Sequence, residues 1–151
     1  MHTIHFGRWF GSLYRKTQTY MKESFKTLGL GFSDSIVLVT VCIHEGISQD
    51  EISSRLAIDK AVTAKSVKNL ESKGLITREV NSANQRIKKV FPTSAGLATK
   101  ARIDDSVEVW NRAIMKDLSK EELEYIFPAL RKIAHTATSI NIEAFLNDHR
   151  S

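Results

Sequence analysis

The chain has 151 residues, 42% of them apolar, and its 22 Lys and Arg residues exceed its 17 Asp and Glu residues to leave a net charge of +5. This length supports one core or one elongated subunit, and an isoelectric point near 9.4 favours an anionic partner. No apolar run approaches the ~20 residues that span a bilayer, and the first 21 residues lack the continuous apolar core of a secretory signal. We therefore expect a cytoplasmic protein without a membrane segment.

The sequence offers little for catalysis or metal binding. It contains no P-loop, GxGxxG, nucleophile-elbow or HExxH motif, and its five histidines are scattered. The single cysteine, Cys42, excludes an internal disulfide and a CxxC metal site. It lies in the most apolar predicted helix, where a thiol is usually an inert core residue, although a redox role is left open. We expect no enzyme activity, no cofactor and no metal.

Two helices are predicted before the centre of the chain. The first spans Thr3–Thr27 and carries a wide aromatic stripe that one small core has little room to cover, so a second copy of the chain is the natural cover. Gly29 ends this helix. Ser33 is the expected N-cap of the second helix, 34–45, whose apolar residues almost surround it and predict a buried scaffold.

A short helix and a longer basic helix follow. Ser48 and Glu51 form a capping box, S-x-x-E, at the start of the short helix. Asp59 is the N-cap of the basic helix, which spans Lys60–Lys73 and stops at Gly74. Three to four residues join the two helices, which is the spacing of a helix-turn-helix.

The basic helix has two faces, and a basic hairpin follows it. At ~3.6 residues per turn, Thr63, Ser66, Val67 and Leu70 share one face, and Ala61, Ala64, Lys65 and Lys68 share the other. After the helix the pattern predicts a β-hairpin at about 75–91 with a polar tip at 81–85. From residue 60 to residue 89, eight Lys and Arg residues face two Glu, a net charge of +6. The positive charge of the chain is therefore concentrated here.

This basic segment has the shape and charge to place a helix in the major groove of DNA and a wing along its backbone. A solvated basic face on an ordinary domain is the alternative. We expect Lys65, at the centre of the outer face, to read bases. The expected roles are phosphate contacts for Ser48 and Gln49, the major groove for Lys60, Ala61, Lys65 and Lys68, the DNA backbone for Arg78, Lys88 and Lys89, and the minor groove for Arg86.

The last third of the chain is predicted to be helical. One long helix spans 94–117, and a second capping box, Ser119 with Glu122, opens a helix whose apolar stripe continues to Phe145. Pro128 removes one backbone hydrogen bond inside that stripe, so we expect a kink rather than a break. A stripe of about seven turns is longer than a small winged domain covers, and it again implies a partner chain. Residues 104–151 carry a net charge of −3.

The segment Ser48–Gly96 resembles the winged helix-turn-helix of the MarR family of bacterial transcriptional regulators. Asn84 and Pro92 depart from the family's wing pattern, and Thr63 and Ser66 stand where the family more often buries aliphatic residues. The order of predicted helices fits the family over nearly the whole chain. The positions that match in register are Leu56, Asp59, Lys60, Leu70, Gly74, Leu75, Ile76, Arg78, Arg86, Val90, Thr93 and Gly96.

The resemblance implies a mainly α, winged helix-turn-helix subunit with six helices and a two-stranded β-wing. In this family the first and last helices interlock across a two-fold axis, so residues 1–30 and 97–151 would form an obligate-type homodimer and residues 32–96 the DNA-binding region. Effectors of the family often bind between these parts. The aromatic residues that could line such a pocket, or could be plain core, are Trp9, Phe10, Tyr14, Tyr20 and Trp110.

Two functions are consistent with these observations. The first is a sequence-specific, effector-responsive DNA-binding regulator, a repressor that binds a palindromic operator in double-stranded DNA. The alternative is a dimeric winged-helix adaptor or antagonist of another protein, without specific DNA readout. Ala61 and Ala64 favour the alternative because they offer no hydrogen bonds to bases, whereas the basic excess favours the regulator.

Overall fold

A computed structural model describes residues 3–80 and 88–149 of the chain. The protein is mainly helical, with a small antiparallel sheet, as predicted for a winged helix. Its elements are α1 (Thr3–Phe25), a 3₁₀ turn (Lys26–Leu28), α2 (Phe32–Ile43), β1 (Ile47–Ser48), α3 (Gln49–Leu56), α4 (Lys60–Ser72), β2 (Ile76–Val80), β3 (Lys88–Pro92), α5 (Ser94–Met115), α6 (Lys120–Ser139) and α7 (Ile142–Asp148).

The chain divides into two compact units, Met1–Ala113 and Ile114–Ser151. The first unit contains the core. Helix α2 is its centre, as predicted, because Val37, Leu38 and Val41 are completely buried. Side chains from the neighbouring elements complete the cluster: Met21, Phe25, Leu30, Ile47, Ile52, Val67, Leu70, Ile76, Val90 and Ile103. No single helix in the described chain is long and apolar enough to cross a membrane, although His5–Leu28 and Phe32–Ile43 meet that standard when joined across a bend of 77°.

The sheet has three strands where the sequence predicted two. The predicted hairpin is present, with Ile76 paired to Pro92 and Val80 to Lys88. In addition, β1 pairs with the other edge of β3, and the strand order is β1-β3-β2. The left-handed Gly46, with φ of 77°, directs its N–H to the carbonyl of Val90 at 2.9 Å and so begins this pairing. A strand of two residues is too short for a periodic signal, which is why the pattern missed it.

Helix ends differ from the predictions in two places. The N-cap of α2 is Gly31 and not Ser33, since the helix begins two residues earlier than predicted and the N–H of Ser35 already binds the Gly31 carbonyl at 3.0 Å. The last predicted helix is two helices, so seven α-helices instead of six lie in the described residues. The interruption occurs at Asn141, whose side chain accepts the N–H of Ala144 at 3.1 Å and caps α7. Helix α6 continues through Pro128.

A tight junction joins the end of α4 to the start of α5. Gly74 has φ of 67° and ends α4 as predicted. The hydroxyl of Thr93 donates to the Gly74 carbonyl at 2.7 Å and accepts the N–H of Gly96 at 3.0 Å. A Cβ on Gly96 would lie 2.0 Å from the carbonyl oxygen of Leu75, so only glycine fits at this position. The C-terminal end of α4 is therefore held directly against the long helix α5.

Candidate nucleic-acid interface

Helix α3 begins with the predicted capping box. The Ser48 hydroxyl accepts the N–H of Glu51 at 3.3 Å, and the Glu51 carboxylate accepts the Ser48 N–H at 2.9 Å. The Ser48 hydroxyl also donates to this carboxylate at 2.7 Å, and the two bonds that Ser48 donates lower the pKa of Glu51 because they stabilise its ionised form. Ser48 and Gln49 are both half-buried at this helix start. A negatively charged group therefore already lies at the end of α3 where we expected phosphate contacts.

The turn between α3 and α4 takes three residues. Ala57 adopts a left-handed conformation with φ of 51°, and the N–H of Ile58 binds the carbonyl of Ser53 at 3.1 Å. Asp59 then caps α4 by accepting the N–H of Ala61 at 2.9 Å. The two helices thus have the short connection of a helix-turn-helix.

The faces of α4 are those that the sequence predicted. Thr63, Ser66, Val67 and Leu70 are buried, and Lys60, Ala61, Ala64, Lys65 and Lys68 are exposed. One polar residue of the buried face, Thr63, takes part in a hydrogen bond between the two helices. The Ser53 hydroxyl donates to the Thr63 hydroxyl at 2.8 Å, and Thr63 donates in turn to the Asp59 carbonyl at 3.3 Å. This pair of hydroxyls joins α3 to α4.

Acidic partners limit the free charge of the outer face. Lys60 forms an exposed ion pair with Asp50 at 2.8 Å. Beside Lys65 and Lys68, Asp34 of α2 accepts a hydrogen bond of 2.6 Å from the side-chain amide of Asn69. Asp34 and Asn69 were not predicted as part of the site, because 35 positions separate them and no periodic pattern connects the two. Lys65 and Lys68 therefore present their charge next to a carboxylate that holds α4 on α2.

The wing residues differ in their surroundings. Lys88 and Lys89 are exposed on β3, and Lys89 lies opposite Ser48 of β1 on one side and Glu79 of β2 on the other. Arg78 is only 27% exposed and binds Glu71 of α4, with Nε donating to Oε1 at 3.0 Å and Nη2 donating to Oε2. This contact lowers the pKa of Glu71 and raises that of Arg78. Arg86, expected at the minor groove, lies outside the described residues.

Comparisons with known proteins agree with this geometry. The MarR family model matches residues 28–87. The HTH-type transcriptional regulator YdgJ of Bacillus subtilis (strain 168) is 30% identical over 119 residues, which cover 76% of this chain and 70% of YdgJ. The chain belongs to the MarR family of DNA-binding transcriptional regulators.

Two further relatives extend the family likeness over most of the chain. The HTH-type regulator YybA, also from B. subtilis (strain 168), is 26% identical over 123 residues, 82% of each chain. A MarR family regulator from Listeria monocytogenes, solved in complex with 26mer DNA, has a TM-score of 0.84 and 27% identity and covers 95% of both chains. The winged helix-turn-helix of this chain is thus similar to one that has been solved on DNA.

The five aromatic residues expected at an effector pocket lie in two groups. Tyr20 and Trp110 stack with ring centroids 4.8 Å apart, and Trp110 Nε1 donates to the Thr17 hydroxyl at 2.9 Å. Trp9, Phe10 and Tyr14, in contrast, lie exposed nearer the N-terminus of α1. The structure brings only the first pair together, between α1 and α5.

A cavity of about 350 Å³ lies between α1, α2 and α5, and none of the five aromatic residues lines it. Its wall is largely apolar, and Asp104 and Thr40 supply polar groups; the apolar residues include Met21, Phe25, Ile36, Val39, Ile103 and Val107. Cys42, also on α2, does not line the cavity, and burial raises the pKa of its half-buried thiol. Residues 3–80 and 88–149 contain no cluster of three or more His, Cys, Asp or Glu that could hold a metal ion.

Proposed function

We propose that this MarR-family chain is a homodimeric, sequence-specific repressor that binds a palindromic operator through two copies of α4 and the wing. The single observation that carries the proposal is the form of α4. Its inner face is closed by buried residues, while Lys65 and Lys68 are exposed on its outer face and Lys88 and Lys89 on β3. A slim helix with an exposed basic face, followed by a basic strand, suits a major groove and the adjoining phosphates.

The roles of the lysines on α4 and β3 follow from their exposure. Lys65, at the centre of the outer face, is the proposed base reader, and Lys68 supports it. Lys88 and Lys89 are proposed to bind phosphate, as is Arg86 at the minor groove. Ser48 and Gln49 are proposed to approach the backbone at the start of α3, where the ionised Glu51 weakens the attraction for phosphate. Ala61 fits a thymine methyl group.

A second copy of the chain is the proposed cover for the terminal helices. On α1, Phe6, Trp9, Phe10 and Tyr14 are 45–62% exposed, and large apolar residues of α6 and α7 are exposed as well. So many exposed large apolar residues on either of these parts are unusual on a monomer. We propose that residues 1–30 and 97–151 form this dimer interface and that residues 32–96 form the DNA-binding region. The protein would act in the cytoplasm and have no enzyme activity.

The protein–protein adaptor is the second candidate function, because the outer face of α4 has few side chains that could form hydrogen bonds with bases. Ala61 and Ala64 offer no hydrogen-bonding groups, and Lys60 is paired with Asp50.

In a further form of the main proposal, a small-molecule effector controls DNA binding by the regulator. The 350 Å³ cavity supports this form, since small-molecule sites are mostly apolar with a few polar groups.

The test is a salt titration of affinity. DNA selected by the protein from a random-sequence pool is compared with unselected duplex of equal length. A dimer that neutralises roughly 6–10 phosphates should show a steep slope, near −0.9 per phosphate, and should bind the selected DNA at least ~10³-fold more tightly. Equal binding to both would leave only nonspecific attraction. No binding at low salt would favour the adaptor.

A further inference from the structure

The ion pair between Glu71 and Arg78 connects the recognition helix to the wing. Glu71 lies in the last turn of α4, and Arg78 is the central residue of β2. Between them the chain reverses through Gly74. The guanidinium engages both carboxylate oxygens, from Nε and from Nη2, and the side chains are only 27% and 35% exposed. Two parallel bonds of this kind fix direction as well as distance.

The ion pair between Glu71 and Arg78 lies at the base of the wing. Ile76 at the start of β2 is buried in the core, and Arg78 lies opposite the buried Val90 of β3. Beyond Arg78, the β2 residues Glu79 and Val80 are exposed, as are Lys88 and Lys89 on β3. The pair therefore lies where the wing leaves the core. A change of angle at this point would be magnified at the residues farther out.

The same contact makes Arg78 a poor phosphate ligand. Glu71 is ionised at neutral pH, since its hydrogen bond to Arg78 lowers its pKa. The charges of the two groups cancel, so a phosphate near Arg78 also meets the carboxylate of Glu71. Binding that releases counterions needs uncompensated cations such as those of Lys88 and Lys89. Arg78 was expected at the backbone from sequence, and its geometry suits a different task.

We propose that Arg78 is a positioning residue, which through Glu71 sets the angle of the wing to the recognition helix and contributes no phosphate contact of its own. This inference rests on the proposed function, because it assumes that wing and helix bind one DNA duplex together. It assigns to Glu71, an acidic residue beside a basic surface, a favourable effect on DNA binding. A phosphate-binding Arg78 requires the opposite effect, because Glu71 would then compete with DNA.

The sign of the Glu71→Gln effect decides between these roles. The matched control is Glu79→Gln, which removes the same charge one residue from Arg78 on β2. Affinity is measured for DNA selected by the unaltered chain from a random pool. We expect Glu71→Gln to weaken binding roughly tenfold, whereas Glu79→Gln should leave affinity unchanged or increase it, since it only adds net positive charge. If Glu71→Gln strengthened binding as much as the control, the proposal would be overturned.

Arg78→Lys provides a second and milder test. Lysine keeps the charge that a phosphate needs but cannot form the two parallel bonds to Glu71. We expect Arg78→Lys to weaken binding about as much as Glu71→Gln, by roughly tenfold. Wild-type affinity in this variant would also overturn the positioning role.

Hydrogen exchange of the free protein separates this inference from the proposed function. Amides of β2 and β3 should exchange several-fold faster in Glu71→Gln than in Glu79→Gln, because the base of the wing is then less restrained. This comparison needs no DNA, so it remains decisive if the unaltered chain binds neither duplex and the repressor proposal fails. Equal exchange in the two variants would overturn the inference even if the unaltered chain bound its selected DNA tightly.

Discussion

The winged region and the C-terminal helices bury their apolar side chains to very different extents. In the winged region α2, α3, α4 and the sheet enclose residues such as Leu38, Ile52 and Leu70, which are completely buried. Helices α6 and α7 contain no buried residue, and Phe127 and Phe145 are 47% and 48% exposed. Both regions nevertheless have well-formed helices with side-chain caps. Regular, capped helices can therefore form in a region whose apolar face is still exposed.

The largest expected effect concerns the uncovered face of α6. Leu130→Asp places a charge in the centre of its apolar stripe, and a two-fold interface would lose this contact twice. At about 1.5–3 kcal/mol per buried leucine, the proposed dimer should weaken at least ~100-fold. Light scattering should show a shift from twice the chain mass toward 17.0 kDa. The control, His135→Asp, adds the same charge away from the stripe, and equal masses for the two variants would place the interface elsewhere.

Within the winged region, the largest effect is expected at the closed junction of α4, β2 and α5. Gly96→Ala would place a Cβ 2.0 Å from the Leu75 carbonyl oxygen, so the backbone must move. We expect a loss of about 3 kcal/mol or more in the free energy of unfolding, measured by urea denaturation. The exposed Ala98→Ser on the same helix should change it by no more than ~0.5 kcal/mol. Similar losses in both variants would contradict the tight contact.

Variants of two exposed lysines in the winged region should distinguish base reading from charge attraction to the DNA backbone. Lys65→Ala should relax preference at one position of each half-site by ~1–3 kcal/mol. Lys89→Ala should weaken binding to all sequences alike and reduce the salt slope by about 1 per subunit. Affinities for duplexes varied at single positions test both statements. If both variants lose affinity uniformly, Lys65 does not read bases.

A smaller effect is expected at the hydroxyl pair beneath α4. Thr63→Val removes the acceptor of the Ser53 hydroxyl and should cost about 1 kcal/mol, even though valine is more typical of a core. Adding Ser53→Ala removes the other hydroxyl of the pair, so the loss in the double variant should be smaller than the sum of the two single losses. Urea denaturation of the single and double variants measures the coupling. Strictly additive losses would mean that the bond contributes nothing specific.

The smallest effect is expected at the capping boxes, which occur in both regions. Because Ser48 and Ser119 lower the pKa values of Glu51 and Glu122, the stabilisation is complete above the ordinary glutamate value of 4.5 and is lost as the pH falls through the lower folded value. Glu51→Gln and Glu122→Gln should therefore lower the urea midpoint slightly at neutral pH. The difference from the parent should narrow as the pH falls below about 4. A difference that widened on acidification would contradict the capping role.

Much of the fold could be predicted because its signals are local. The caps at Ser48, Asp59 and Ser119 and the left-handed stop at Gly74 depend on residues within four positions of each other. The two faces of α4 follow from its period alone. Asn141 carries an equally local cap signal, but the apolar stripe continues past it in phase, and the break was missed for that reason.

Only those features of the candidate site that depend on local sequence patterns were predicted. The exposure of Lys65 follows from the helical period. The pairing of Arg78 with Glu71 follows from no local pattern. Glu71 meets Arg78 only because the chain reverses at Gly74 and brings β2 back along α4. Neither the approach of Asp34 to Asn69 nor the stacking of Tyr20 on Trp110 has a spacing rule in sequence.

By itself, the sequence determined where α3, α4 and α6 start, which face of α4 is basic, and that the chain resembles the MarR family. These properties depend on hydrogen bonds and side-chain periods within one or two turns. The tertiary structure alone decided that a third strand joins the wing, that a cavity lies between α1, α2 and α5, and that Arg78 faces a carboxylate. Each of these requires distant segments to meet, and the free energy of such contacts comes from packing geometry that no local pattern records.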